Sequence, residues 1–146
     1  MQQIYQQLSV LKLNGIRDAL IQQAEQPNHY NELSFSERLA LLLDQELNQR
    51  ENRKITRLIR QAKFRVRAQL EQVNYRATRN INKSQIRSLA QGEWLRLHQN
   101  ILITGATGCG KTYLACALGN QHCQQGRSVN YFRLKELLEK MYLTQA

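Results

Sequence analysis

The sequence predicts an α + α/β chain. A helical, basic N-terminal part over residues 1–92 is followed, over residues 93–146, by the opening strand–helix–strand–helix of a parallel sheet. Three observations carry this. Apolar residues recur at helical spacing through the first half, and no glycine or proline interrupts the stretch 48–73. A short apolar run, "NILIT", precedes a glycine-rich turn and then a helix-forming segment. A second run, "SVNYF", precedes a last helical stretch, and alternating strands and helices imply a parallel sheet.

Taken in order, Tyr5 to Glu25 reads as one helix, because Ile4, Leu8, Leu11, Ile16, Leu20 and Ile21 share a face and Pro27 ends the run. "PNHYNELS" reads as a loop. Ser34 or Ser36 caps the next helix, Ser34 having the capping-box spacing with Glu37 three residues later, and the helix turns Leu39, Leu42, Leu43 and Leu47 to a core. That helix is expected to continue, bent or straight, to Val73. Its apolar stripe is Ile55, Leu58, Ile59, Ala62, Val66, Leu70 and Val73. Phe64 falls on the basic side, where packing against another helix is the simpler reading and stacking on a base the bolder one. "NYRATRNINKSQ" is a basic connector. Asn82 or Ser84 caps a short helix, Gly92 stops it, and Trp94 is a packing anchor. "NILIT" is the first strand, "TYLACALGNQHCQQG" a helix closed by Gly126, "SVNYF" the second strand, and "RLKELLEKMYLTQA" the final helix.

Between the first strand and its helix lies Gly105-Ala106-Thr107-Gly108-Cys109-Gly110-Lys111-Thr112, which meets G-x-x-x-x-G-K-[ST] at each fixed position. Glycines let the backbone turn so that successive N–H groups point inward. The following helix adds its partial positive charge. Lysine reaches the β- and γ-phosphates, and the hydroxyl after it ligates Mg²⁺. The strand before and the helix after supply the expected context for a nucleotide loop. The loop itself does not distinguish ATP from GTP.

The chain of 146 residues has a formal net charge of +10. Between Arg50 and Arg87 stand twelve bases, among them Arg65, Arg76, Arg79 and Lys83, against two acids, Glu51 and Glu71, so this segment holds the whole excess. A localised basic block points to a polyanion, and Arg50, Arg53, Lys54, Arg57, Arg60, Lys63 and Arg67 are the candidate contacts to a duplex phosphate backbone. Cys109, Cys116 and Cys123 recur every seven residues. On a helix that spacing is about 10 Å, too far for a disulfide or shared metal ligation, so buried thiols on a packed helix are expected. His29, His98 and His122 show no metal spacing. No apolar run reaches the ~18 residues that cross a bilayer, and the start lacks the features of a secretion signal, so a cytoplasmic protein with no membrane partner is expected.

Three stretches, "LSFSERLALLLDQELNQRENRKITRLIRQAK", "YRATRNINKSQIRSLAQGEWLRLHQNILITGATGCGKTYLACALG" and "GRSVNYFRLKELLEKM", resemble the IstB family of insertion-sequence transposition helpers. The similarity runs from about Leu8 to the end and includes "ERLALLLDQEL" and "GEW…HQN", which a generic phosphate-loop protein lacks. The resemblance implies a small helical N-terminal domain and a P-loop AAA+ ATPase domain, related to bacterial helicase loaders. It implies ATP and Mg²⁺ as cofactors. The implied partners are double-stranded DNA, a transposase and further copies of the same protein. By the same resemblance Lys111 serves the phosphates, Thr112 the magnesium, and the backbone from Gly108 to Gly110 the phosphate cradle. A helicase-loader-like replication protein is the second reading, disfavoured by the "ERLALLLDQELNQREN" block. A non-catalytic DNA-binding remnant is the third.

The family pattern also places an acidic pair at the end of a later strand, to hold magnesium and orient water. After Thr112 this chain has only Glu136 and Glu139, both on the predicted last helix. The expectation is a truncated copy that binds but does not hydrolyse ATP, with no catalytic residue assigned. In the family's sheet the first two strands are not neighbours. The expected consequence is bare strand edges and a chain that stays loose after about Leu102.

Overall fold

The computed structural model describes residues 1–76 and 80–145. Arg79, one of the bases in the charged block, lies outside the described residues, as do its neighbours 77–78 and the terminal residue. The described helices are α1 (Gln2–Val10), α2 (Asn14–Glu25), α3 (Pro27–Tyr30), α4 (Phe35–Ala62), α5 (Lys83–Gln91), α6 (Glu93–Arg96), α7 (Lys111–Gln124) and α8 (Leu134–Gln145). A 3₁₀ turn occupies Leu70–Gln72. The chain divides into two compact units, Met1–Lys54 and Ile55–Ala146.

In the first unit the expected single helix is two. Lys12 takes a left-handed φ of 59° between them. The capping box at the start of α4 forms as its spacing predicts: the Ser34 amide donates to Glu37 Oε2 at 2.7 Å and the Glu37 amide to Ser34 Oγ at 3.3 Å. The apolar face of α4 is only partly covered. Leu42 is buried, whereas Leu39, Leu43 and Leu47 are exposed.

The main long-range polar contact in this unit is a cap supplied from another helix. Leu13, the residue before α2, offers no side-chain cap. Instead the buried Glu46 of α4 accepts from the Gly15 amide at 2.7 Å and the Ile16 amide at 3.3 Å, both through Oε2. Its other oxygen accepts from Arg50 Nε at 2.8 Å. These donors, Arg50 first and the two amides after desolvation, hold the Glu46 carboxyl below its ordinary range.

In the second unit α4 stops at Ala62, short of the expected Val73. Lys63 follows at a left-handed φ of 54°. The Ala62 carbonyl, which a longer helix would use, accepts from the Tyr131 amide at 2.8 Å. Phe64 then turns inward. It packs against both small cores of this unit: Leu58, Ala62 and Cys123 on one side, Ala68, Cys116 and Ala117 on the other. The fit is close, since a Cβ on Gly119 of α7 would come within 2.5 Å of the Phe64 ring. Cys116 and Cys123 are thus buried on α7, while Cys109 sits exposed before that helix begins.

The parallel βαβα sheet expected over residues 93–146 is not formed. Among the described residues there is no strand, and the fold is helical. The two runs read as strands both line a groove of about 540 Å³, Ile101 and Ile103 from the first and Val129 from the second, with Trp94, Leu118 and His122 among the other lining residues. A ladder needs backbones about 4.8 Å apart. Here the second run bonds instead to the end of α4 through Tyr131, and Leu102 of the first is 90% exposed. The runs are apolar enough for strands, but neither has the other as a neighbour. Beyond Leu102, where a loose chain is expected, α7 carries five buried residues.

One polar cluster ties α5, α6 and α7 together. The Leu89 carbonyl accepts from Trp94 Nε1 at 2.9 Å and lies 3.2 Å from His122 Nε2. Arg127 Nη1 lies 2.7 Å from His122 Nδ1, so the ring is neutral, donating through Nε2 and accepting through Nδ1. Gly92, at φ 85°, closes α5 beside this cluster. Burial, then the Arg127 charge, push His122 below the usual histidine value. The unfolded chain therefore binds the extra proton more readily. The stability that neutral His122 contributes is complete above about pH 6.5 and is lost as pH falls from there through the depressed native value. The melting temperature of the chain should drop more between pH 7 and pH 5 than that of His122→Gln, and the two should vary alike with pH above pH 7. Parallel curves for the two proteins would refute this.

Candidate functional site

The glycine-rich loop leads directly into α7, whose first residue is Lys111. Gly108 and Gly110 adopt left-handed φ values of 78° and 97°, which L side chains resist. At both positions a Cβ would meet nothing within 4 Å, so the requirement is conformational and the face of the loop stays open. Among the described residues the amides of Gly108, Gly110, Lys111 and Thr112 have no acceptor, while Cys109 N donates to Ala106 O at 3.3 Å. Unpaired N–H groups at a helix start, with the helix's partial positive charge behind them, form an anion-binding surface.

Lys111 Nζ folds back over the loop and donates to the carbonyls of Gly105 and Ala106, the latter at 3.0 Å. The Thr112 side chain is exposed in the first turn of α7. Above the loop is a pocket of about 470 Å³, lined among others by Asn80, Ile81, Ile103, Cys109, Lys111 and Leu114. None of its lining residues is acidic. Of the eight loop residues singled out by spacing, Gly105, Ala106, Cys109, Gly110 and Lys111 line this pocket, while Thr107, Gly108 and Thr112 are exposed beside them in the same turn. No motif or spacing marks Asn80 and Ile81 as part of it. They come from the basic connector, where Asn80 takes a φ of 53°, a conformation asparagine tolerates better than most residues.

The basic candidates are all exposed, and they are not equivalent. Arg50 is committed to Glu46 at 2.8 Å, and Arg53 Nη2 stands 3.9 Å from the same carboxylate. Arg53 also donates from Nε to the Gln49 carbonyl at 3.4 Å. Among the described residues Lys54, Arg57, Arg60, Lys63 and Arg67 make no ion pair. Arg50, Arg53 and Lys54 belong to the first unit, and the other four belong to the second.

The sequence profile of the family described as IstB-like ATP binding protein matches residues 6–146. This chain belongs to that family. A Pseudomonas fluorescens protein named for ATP binding in insertion sequence IS1162 is 46% identical to the IstB-like chain over 136 residues, covering 92% of this chain and 58% of that protein. A Sinorhizobium fredii protein named for ATP binding in an insertion sequence is 40% identical over 134 residues, covering 92% of this chain and 54% of its own length. A Mycobacterium tuberculosis protein with a similar name is 30% identical over 134 residues, with coverage of 92% and 53%. The IstB-like chain thus spans about half the length of these curated relatives. No helix among its described residues is long and apolar enough to cross a membrane.

Proposed function

We propose that this chain is the nucleotide-binding and DNA-binding part of an insertion-sequence helper that acts with a transposase and assembles with further copies of itself. The observation that carries the nucleotide half is the open cradle with four unpaired amides under one lysine. The residues present fit a triphosphate: the amides of Gly108, Gly110, Lys111 and Thr112 meet phosphate oxygens, and Lys111 exchanges its loop carbonyls for them. Gly105, Ala106, Thr107 and Cys109 complete the turn. Thr112 presents its hydroxyl to the accompanying Mg²⁺, which would neutralise phosphate charge. Ile81, Ile103 and Leu114 offer an apolar wall suited to the face of a base. The family's name supports ATP as the nucleotide.

The DNA half rests on the exposed basic residues, and the names of the relatives support an insertion-sequence setting and hence a transposase. Functionally we divide the chain as residues 1–92 for DNA and partner contact and residues 93–146 for nucleotide. Glu136 and Glu139, the two acids after Thr112, are exposed on α8 and line no part of the loop pocket. Neither acid is therefore placed to serve a nucleotide in the loop, and we infer that these residues bind ATP without hydrolysing it.

The exposed Cys109 thiol reports on this directly. Saturating Mg-ATP should slow alkylation of Cys109 by iodoacetamide, with Cys116 and Cys123 reacting only on unfolding, and phosphate release should stay at background. A Cys109 rate indifferent to Mg-ATP would overturn nucleotide binding. Turnover abolished by Lys111→Ala would overturn the missing-acid argument.

A further inference from the structure

Where α4 ends, the chain and α7 enclose a pocket of about 450 Å³. Arg60 and Lys63 reach it from the end of α4, Arg67 and Gln69 from the segment that follows, and Asn120 and Gln124 from α7. Its lining includes no acid. Asn120 is held in place, since its Nδ2 donates to the Ala68 carbonyl at 2.9 Å. The floor is rigid because Phe64, also in the lining, is wedged against Gly119 and both small cores.

Three cations gathered around one concavity repel each other, and among the described residues none has a carboxylate partner. Arg50 and Arg53 are different, because Glu46 already answers them. A bound anion would relieve the repulsion, and an arginine head with the Gln124 amide beside it matches the several oxygens of a phosphate. We propose that this pocket seats one backbone phosphate of duplex DNA. The duplex is then gripped in the second unit, by α7 residues as well as basic ones, rather than along the α4 stretch that carries Arg50 and Arg53. This rests on the reading that the basic block contacts DNA, and it names the residues of the contact.

Gln124 is the discriminating position. It is exposed, uncharged and outside the basic block, so only the pocket geometry gives it a role. Gln124→Glu places a carboxylate in the pocket, while Gln91→Glu adds the same charge on exposed α5. Duplex affinity is measured by fluorescence anisotropy across a salt series on the full 146-residue chain, with circular dichroism confirming that each variant keeps its helices. Gln124→Glu should weaken binding by roughly 10-fold or more at low salt and reduce the salt slope by about one. Arg60→Gln with Lys63→Gln should do the same. Gln91→Glu should change affinity by less than about threefold, and Arg50→Gln with Arg53→Gln should lower the salt slope by less than the pocket pair does.

Equal effects of Gln124→Glu and Gln91→Glu would overturn the pocket and leave diffuse charge. A slope change from Arg50→Gln with Arg53→Gln as large as that from the pocket pair would move the contact to the first unit. If the unmodified chain binds no duplex, the DNA reading itself fails, a separate result. If inorganic phosphate gives heat that Gln124→Glu abolishes while duplex affinity is unmoved, the site serves a free anion and the DNA assignment is overturned.

Discussion

Lys111→Ala should abolish measurable Mg-ATP binding while leaving the melting temperature of the chain nearly unchanged. The two halves of this result have one origin. Among the described residues Lys111 is the only cation lining the loop pocket. A hydrogen bond between charged groups contributes about 2–3 kcal/mol, so its loss should weaken binding roughly 30- to 150-fold. In the unliganded protein the same ammonium touches only the carbonyls of Gly105 and Ala106, both on exposed residues that water can satisfy. Truncation there leaves no buried group without a partner. Calorimetry with Mg-ATP and a thermal melt check both parts. Binding within a factor of three of the unmodified protein would remove Lys111 from the site. A large drop in melting temperature would recast it as a structural residue.

Gly15→Ala should destabilise the first unit by about 2–4 kcal/mol, against the usual rule that alanine improves a helix by up to ~1 kcal/mol. A Cβ at this position would stand 2.6 Å from the Glu46 Cα and 2.9 Å from the Gln45 carbonyl oxygen. Both are backbone atoms of α4 and cannot swing aside. Pushing the helices apart also breaks the 2.7 Å bond from the Gly15 amide to Glu46, leaving a buried carboxylate short of donors. The same contact makes the unit sensitive to acid. Because the Glu46 carboxyl is held below its ordinary range, its contribution is full above about pH 4.5 and disappears as pH falls through the depressed native value. Denaturant unfolding of the two proteins, with amide exchange at Ile16, measures the first effect. Equal or greater stability in Gly15→Ala would contradict the packing argument.

What the sequence made legible was local. The loop from Gly105 to Thr112 and the Ser34–Glu37 cap depend on residues within one or two turns, and spacing reveals both. What it hid was set at long range. Nothing near Ala62 ends a helix. The stop comes from Tyr131 taking the Ala62 carbonyl and from Phe64 docking on α7. Glu46 reads as one more polar residue on a leucine-rich helix, yet it caps an amide 31 residues away. "NILIT" and "SVNYF" have strand composition, but a strand is a pairing, and the pairing partner is not written into the run itself. The seven bases looked interchangeable, since the sequence cannot tell which of them has a carboxylate within reach. Asn80 and Ile81 carried no signal because their part in the loop pocket is fixed by the path of the connector.

The way Lys111 bends over its own loop has a further meaning. Its ammonium already holds two carbonyls, so capturing a nucleotide is a change of partners rather than the filling of a gap. The net gain is the difference between phosphate oxygens and two peptide oxygens, smaller than the phosphate contact would give a bare ammonium. A positive side chain at 111 too short or too stiff to make that swing would guard the loop without ever opening it.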